Sequence, residues 1–174
     1  MSRTSSPDST LILGLGNPIL GDDGIGCLVA DRIKTDFKTE ETIEVISASV
    51  SPLRMVDEIA GKERLIIIDS VSTGSREPGT LFEIEPSENR SSPVTTHSFS
   101  LDQLREIGAS LGLAMPRYVK MYGIEIVPPK EYTSALSPGI RAKIPELVRE
   151  IAGRELNEHP EEYSNNSARG ETTV

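Results

Sequence analysis

Residues 64–69 read Arg64-Leu65-Ile66-Ile67-Ile68-Asp69. Four consecutive branched aliphatic residues, with no polar alternation, predict a strand buried on both faces, as in a sheet covered by helices. Upstream, Thr10–Leu15 is a second short apolar run that ends in glycines and predicts another buried strand. Between them, residues 24–37 place Ile25, Leu28, Val29, Ile33 and Phe37 on one face of a helix. Residues 43–46 are rich in strand-forming side chains, and Ser51-Pro52 reads as an N-cap followed by proline at the first helical position of a helix reaching about Gly61.

Downstream, residues 74–79 are a turn-rich link, residues 80–84 predict a strand nearer an edge, and residues 87–96 a polar loop. Ser100 with Gln103 forms a capping box for a helix through Leu111. Residues 118–126 predict the final strand. Ser137-Pro138 repeats the cap-then-proline signal before a helix whose apolar face carries Ile140, Ile144, Leu147, Val148 and Ile151. Pro145 inside it predicts a kink or a later start. The alternation defines an α/β chain: a three-layer α/β/α sandwich with a five-stranded, mostly parallel, mixed twisted sheet. Residues 10–153 are expected to form its single domain, residues 1–9 a flexible extension, and residues 154–174 a polar tail without apolar periodicity.

Composition narrows the function. The chain of 174 residues is 36% hydrophobic and 26% charged, which suits one globular domain. A net charge of −9 and a pI near 4.8 disfavour nucleic acid, whose phosphates need clustered Lys and Arg. No apolar run approaches the ~20 residues of a membrane span, and the Ser-rich start lacks the apolar segment of a secretory signal. With Cys27 the single cysteine, a disulfide framework is excluded, and a cytoplasmic location is the expectation.

Ligand sites of open α/β sheets lie beyond the carboxyl ends of the strands. Three candidates fall there. Asp69 ends the central aliphatic run, either capping the next turn or serving a site. Asp22 and Asp23 stand at the start of the first helix, where one carboxylate would satisfy the helix dipole and the second is surplus. His97 is one of two histidines, and the other, His159, lies in the expected tail. Two carboxylates and a neutral imidazole would suit a divalent cation with open coordination positions.

Other chemistries fit less well. Gly14 and Gly16 match a dinucleotide loop, but Ile19 occupies its third glycine position, and the loop has no lysine for a Walker motif. Cys27 falls in the first helical turns and reads as core, and neither structural-zinc spacing nor a Gly-x-Ser-x-Gly elbow is present.

The run Gly14-Leu15-Gly16-Asn17-Pro18 through Asp22-Asp23-Gly24-Ile25-Gly26 resembles the opening signature of the [NiFe]-hydrogenase maturation endopeptidases. The resemblance continues in order through Leu65-Ile66-Ile67-Ile68-Asp69, Glu77-Pro78-Gly79-Thr80, Thr95-Thr96-His97-Ser98 with Leu101-Asp102-Gln103-Leu104, Tyr122-Gly123-Ile124-Glu125 and Leu136-Ser137-Pro138. The threonine pair before His97 is most similar to the branch that serves hydrogenases of formate-hydrogen-lyase type complexes. The chain departs from the pattern in three places: Ser47-Ala48-Ser49-Val50-Ser51 stands where many members have an Asp-Gly-Gly-Thr-like run, the first nine residues look like an extension, and the tail after Arg154 is longer and more polar than the domain requires.

The resemblance implies an endopeptidase, a monomer, that removes a C-terminal extension from the large-subunit precursor. It also implies that Asp23, Asp69 and His97 are both the catalytic and the metal-contacting set, the metal being nickel supplied by the precursor. Oxygen and nitrogen ligands hold nickel less tightly than the substrate's thiolates should, so the metal can be inspected without being removed. Two alternatives are a precursor chaperone that does not cut and a hydrolase like peptidyl-tRNA hydrolase, which shares the Gly-Leu-Gly-Asn-Pro start. The second is disfavoured because this chain has no histidine before His97 and is acidic.

Overall fold

The computed structural model describes residues 9–84 and 101–156. Its sheet is built from β1 (Thr10–Leu15), β2 (Ile43–Ala48), β3 (Arg64–Val71), β4 (Leu81–Ile84) and β5 (Tyr118–Glu125), in the order β2-β1-β3-β5-β4. The aliphatic run Leu65-Ile66-Ile67-Ile68 therefore lies at the centre and is fully buried, as its lack of alternation requires. β1, β2, β3 and β5 pair in parallel, and β4 closes one edge antiparallel to β5. The sheet is mostly parallel and mixed, with five strands, as expected.

The helices are α1 (Ile25–Asp36), α2 (Val56–Ile59), α3 (Leu101–Leu111) and α4 (Pro138–Glu155). Strand side chains alternate between the two faces. Ile66 and Ile68 pack with Ile25, Val29 and Ile33 of α1 and with Leu147, Val148 and Ile151 of α4. Leu65 and Ile67 pack on the other side with Met55, Ile59 of α2 and Leu104 of α3. Two apolar layers on opposite faces of one sheet make the three-layer sandwich.

Several boundaries differ from the sequence expectation, each for a local reason. β3 runs two residues past Asp69, to Val71, because its register with β5 extends through Val71 and Glu125. Asp69 is thus inside the strand. α1 begins at Ile25, after a 3-10 turn at Gly21–Gly24 that holds both acids of the opening loop. The helix expected after Ser51 splits into a 3-10 turn, Pro52–Met55, and the single turn of α2. Ser51 does cap it, accepting from the Leu53 N–H, but the Arg54 N–H bonds back only three residues, to the Ser51 carbonyl.

α4 starts at Pro138 and continues through Pro145, which corrects the later start. Pro145 removes the N–H that would bond the Arg141 carbonyl, yet both residues are exposed, so water can serve that carbonyl. The helix also extends to Glu155, which is buried, beyond the expected boundary at residue 153. Residues 1–8, Ser100 of the expected capping box, His97 and the tail beyond residue 156 lie outside the described residues. No described helix is long and apolar enough to cross a membrane.

Candidate active site at the carboxyl end of the sheet

The chain leaving β1 reverses at Gly16, whose φ of 152° is open mainly to glycine. A side chain there would also meet the Asp23 carbonyl, since a Cβ would lie 2.3 Å from it. Gly26 has the same role at the head of α1: its Cβ would lie 2.2 Å from the Leu15 carbonyl and 2.5 Å from that of Ile68. The first turn of α1 therefore rests directly on the backbones of β1 and β3. The glycine spacing is a packing device, and it draws Asp23 against the end of β3.

The two acids of the opening loop point to different neighbours. Asp22 is half-buried, and its Oδ1 accepts from the backbone N–H of Ser137 at 2.7 Å, at the head of α4. Asp23 is 1% exposed. Its Oδ2 accepts from the Asn17 N–H at 3.0 Å and its Oδ1 from the Ser70 hydroxyl at 3.0 Å. The surplus carboxylate is thus identified: Asp22 fastens a helix, and Asp23 turns inward.

Asp69 is fully buried, and its Oδ1 accepts from the Ser70 N–H at 2.8 Å. Ser70 therefore serves both carboxylates, with its backbone to one and its hydroxyl to the other. The parity of β3 explains this arrangement. Ser70 follows Ile66 and Ile68 on the α1 side, and Asp69 follows Leu65 and Ile67 on the side of α2 and α3. Ser70 carried no signal in the sequence reading. Had the strand been extended past Asp69, its even parity would have placed it beside α1.

The loop beside the site is held by hydrogen bonds. Glu125, at the end of β5 and 1% exposed, accepts from the Thr73 N–H at 2.7 Å, the Thr73 hydroxyl at 2.6 Å and the Gly74 N–H at 2.8 Å. These three bonds fasten the loop that follows β3. Cys27 is buried, with Sγ 3.6 Å from the Gly14 carbonyl, 3.4 Å from that of Gly16 and 3.5 Å from that of Ala48. Burial, with the negative charges of Asp31, Asp69 and Asp23, pushes its thiol from 9.0 up to about 11. It is a neutral thiol packed beneath the site, as its helical position predicted, and not a nucleophile at neutral pH.

At the departing segment, the Ser47 hydroxyl donates to Asp31 Oδ1 of α1 at 2.8 Å on the surface. Of the three expected site residues, Asp23 and Asp69 each accept from Ser70, Asp23 from its hydroxyl and Asp69 from its N–H, and His97 lies outside the described residues. Among the described residues, no group of three or more His, Cys, Asp or Glu is placed to hold a metal ion.

Comparison with known proteins agrees with this architecture. The chain is 22% identical over 143 residues to the hydrogenase expression/formation protein HupD of Thiocapsa roseopersicina, a match that spans 80% of this chain and 64% of that protein. Its structure resembles the hydrogenase maturating endopeptidase HybD from E. coli, with a TM-score of 0.69 at 21% identity, over 84% of this chain and 91% of that one. It also resembles the [NiFe] hydrogenase maturation protease HybD from Thermococcus kodakarensis, with a TM-score of 0.62 at 26% identity, over 85% and 99% of the two chains. The family profile described as hydrogenase maturation protease matches residues 27–154, from within α1 to the last turn of α4, with four of the five strands. The chain belongs to the hydrogenase maturation protease family.

Proposed function

We propose that this protein is an endopeptidase that removes the C-terminal extension from the nickel-loaded precursor of a [NiFe]-hydrogenase large subunit. One observation carries the reading: a buried carboxylate pair, Asp23 and Asp69, held around Ser70 at the carboxyl end of a parallel sheet, in a chain of this family. A protein that only needed to fold gains nothing from taking two acids out of water together.

Nickel enters as part of the substrate. Asp23 and Asp69 would contact it from the sheet, and His97, four residues ahead of α3, from the chain leading into that helix. Bound there, the ion supplies Lewis acidity toward a neighbouring carbonyl or water. The donors to Asp23 orient it, and Asp69 sits in the strand with its carboxylate aligned by the next amide. Either carboxylate can accept the proton of an attacking water. The buried Cys27 takes no part, because its thiol is neutral and enclosed. The substrate branch we favour is the hydrogenase of formate-hydrogen-lyase type complexes, on the Thr95-Thr96-His97 sequence.

The test is to mix the purified protein with nickel-loaded and nickel-free large-subunit precursors and follow their masses. Loss of the C-terminal extension in the nickel sample alone is the expected result. Cleavage without nickel keeps the protease and removes the metal reading. Stable binding without any cleavage identifies a chaperone.

A further inference from the structure

Four of the large apolar side chains exposed among the described residues share one end of the molecule. Tyr132 is 83% exposed, Ile19 59%, Val127 57% and Val50 39%. Ile19 lies in the loop leaving β1, Val50 two residues past β2, and Val127 two residues past β5. These are the carboxyl ends of three parallel strands, where Asp23 and Asp69 also sit. Two others, Leu111 and Tyr118, flank the connection from α3 into β5, at the opposite end of the sheet.

The backbone beneath Ile19 and Tyr132 is braced. Leu20 and Thr133 form an isolated parallel bridge. The Thr133 N–H donates to the Ile19 carbonyl at 3.0 Å, and the Gly21 N–H donates to the Thr133 carbonyl. Asp22 adds the bond to the Ser137 N–H. Ile19 and Tyr132 each precede the bridged pair by one residue, so the bridge holds their backbones close together. A tyrosine this exposed gains little for folding. Presented on a fixed backbone beside an isoleucine, it gains from contact with another surface, and the ordering cost of that contact has already been met. Aromatic and aliphatic side chains of this kind are the anchors of protein interfaces.

We infer that Ile19 and Tyr132, with Val127 and Val50 alongside, form the docking surface for the folded body of the large-subunit precursor. This rests on the proposed function. The occupant follows from continuity: Ile19 and Asp23 belong to one short segment, so a protein whose cleavage site reaches Asp23 must cover Ile19. The surface selects the substrate through its fold around the metal site, while the carboxylates act on the bond.

The experiment compares wild type, the double variant Ile19→Ser/Tyr132→Ser and the control Leu111→Ser/Tyr118→Ser. Thermal melts confirm that each is folded. The readouts are KM and kcat on the nickel-loaded precursor, and Kd for the same precursor by calorimetry. We expect the double variant to raise KM and Kd roughly tenfold or more while kcat changes less than about twofold, and the control to match wild type. Wild-type Kd in the double variant, or an equal loss in the control, overturns the inference. If wild type binds the precursor but never cuts it, the endopeptidase reading fails, and the same Kd comparison still decides the docking surface. If wild type binds no large-subunit precursor, both fail.

Discussion

The Ser70 hydroxyl donates to Asp23 Oδ1 at 3.0 Å across 47 residues of sequence, while its own N–H is given to Asp69. This one residue ties the turn before α1 to the end of β3 and bonds both carboxylates. Replacing it with alanine leaves the Asp69 bond, which is backbone, and removes only the bond to Asp23. Ser70→Ala should therefore lose about 1–3 kcal/mol of stability, the cost of stripping a donor from a buried carboxylate. It should also slow precursor processing more than its stability loss explains. Urea unfolding and single-turnover cleavage, measured on the same preparation, separate the two effects. Wild-type processing in a folded Ser70→Ala protein would show that the bridge does not position Asp23.

Asp69→Asn keeps the size and the acceptor oxygen that takes the Ser70 N–H, so the fold should survive. It removes the charge. If Asp69 contacts nickel or takes the proton of the attacking water, processing should drop by ~10²-fold or more. His97→Ala is expected to behave alike. A variant that trims the nickel-loaded precursor at the wild-type rate removes that residue from the site.

Asp22 gives the matching contrast. It is adjacent to Asp23 in sequence, but its carboxylate caps the Ser137 N–H and does not turn into the site. Asp22→Ala should cost about 0.5–2 kcal/mol, as for a lost helix cap. Its kcat should fall far less than that of Asp23→Asn. Equal kcat losses in the two variants would mean that the assignment of separate roles is wrong.

That contrast marks the limit of what the sequence carried. The central strand was legible because unbroken branched aliphatics leave a parallel sheet as their natural setting, and the face of α1 was legible from its 3.6-residue spacing. The member of the Asp22-Asp23 pair assigned to the site came only through the family resemblance. Its physical reason is tertiary: Gly16 and Gly26 allow backbone approaches that aim Asp23 at β3, and no local pattern states where the turn points. Ser70 was hidden because the strand was ended at Asp69, a polar residue that looks like a boundary and is instead fully buried. The helix after Ser51 read correctly at its cap and incorrectly in its length, since the capping signal says where a helix starts and not whether its first turn is 3-10.

Cys27 should be chemically silent. Its thiol is enclosed and pushed up to about 11, so thiol reagents at pH 8 should modify the native protein slowly and the urea-unfolded protein fast. Because the folded value lies above the unfolded one, its contribution to stability is present below pH 9.0 and is lost as the pH rises from 9.0 toward 11. Cys27→Ala should keep processing within about twofold, with a stability cost from lost packing. Rapid labelling of the folded protein, or loss of activity in a well-folded alanine variant, would return Cys27 to the list of reactive groups.

A further buried acid, Glu155, lies away from the site and tests the stability side alone. Glu155, 4% exposed near the end of α4, takes Arg64 Nη2 at 2.8 Å and Lys120 Nζ at 3.1 Å, and accepts from the Tyr122 hydroxyl. Burial opposes the charge on Lys120, but hydrogen bonds to Tyr122, Glu155 and Glu83 outweigh it and hold the ammonium above its usual range. Burial and the bond to Glu155 raise the Tyr122 phenol as well. Both folded values exceed the unfolded ones, so this stabilisation is complete below pH 10.0 and is lost as the pH rises past 10.5. Glu155→Ala leaves a half-buried ammonium, which keeps Glu83, and a buried phenol each short of one partner, and should cost about 1–3 kcal/mol at pH 7. The gap between wild type and variant should narrow in melts taken above pH 10.5, and kcat on the precursor should stay at the wild-type value. A gap that is unchanged across that pH range would mean that Glu155 stabilises the fold through packing, with no contribution from its charge.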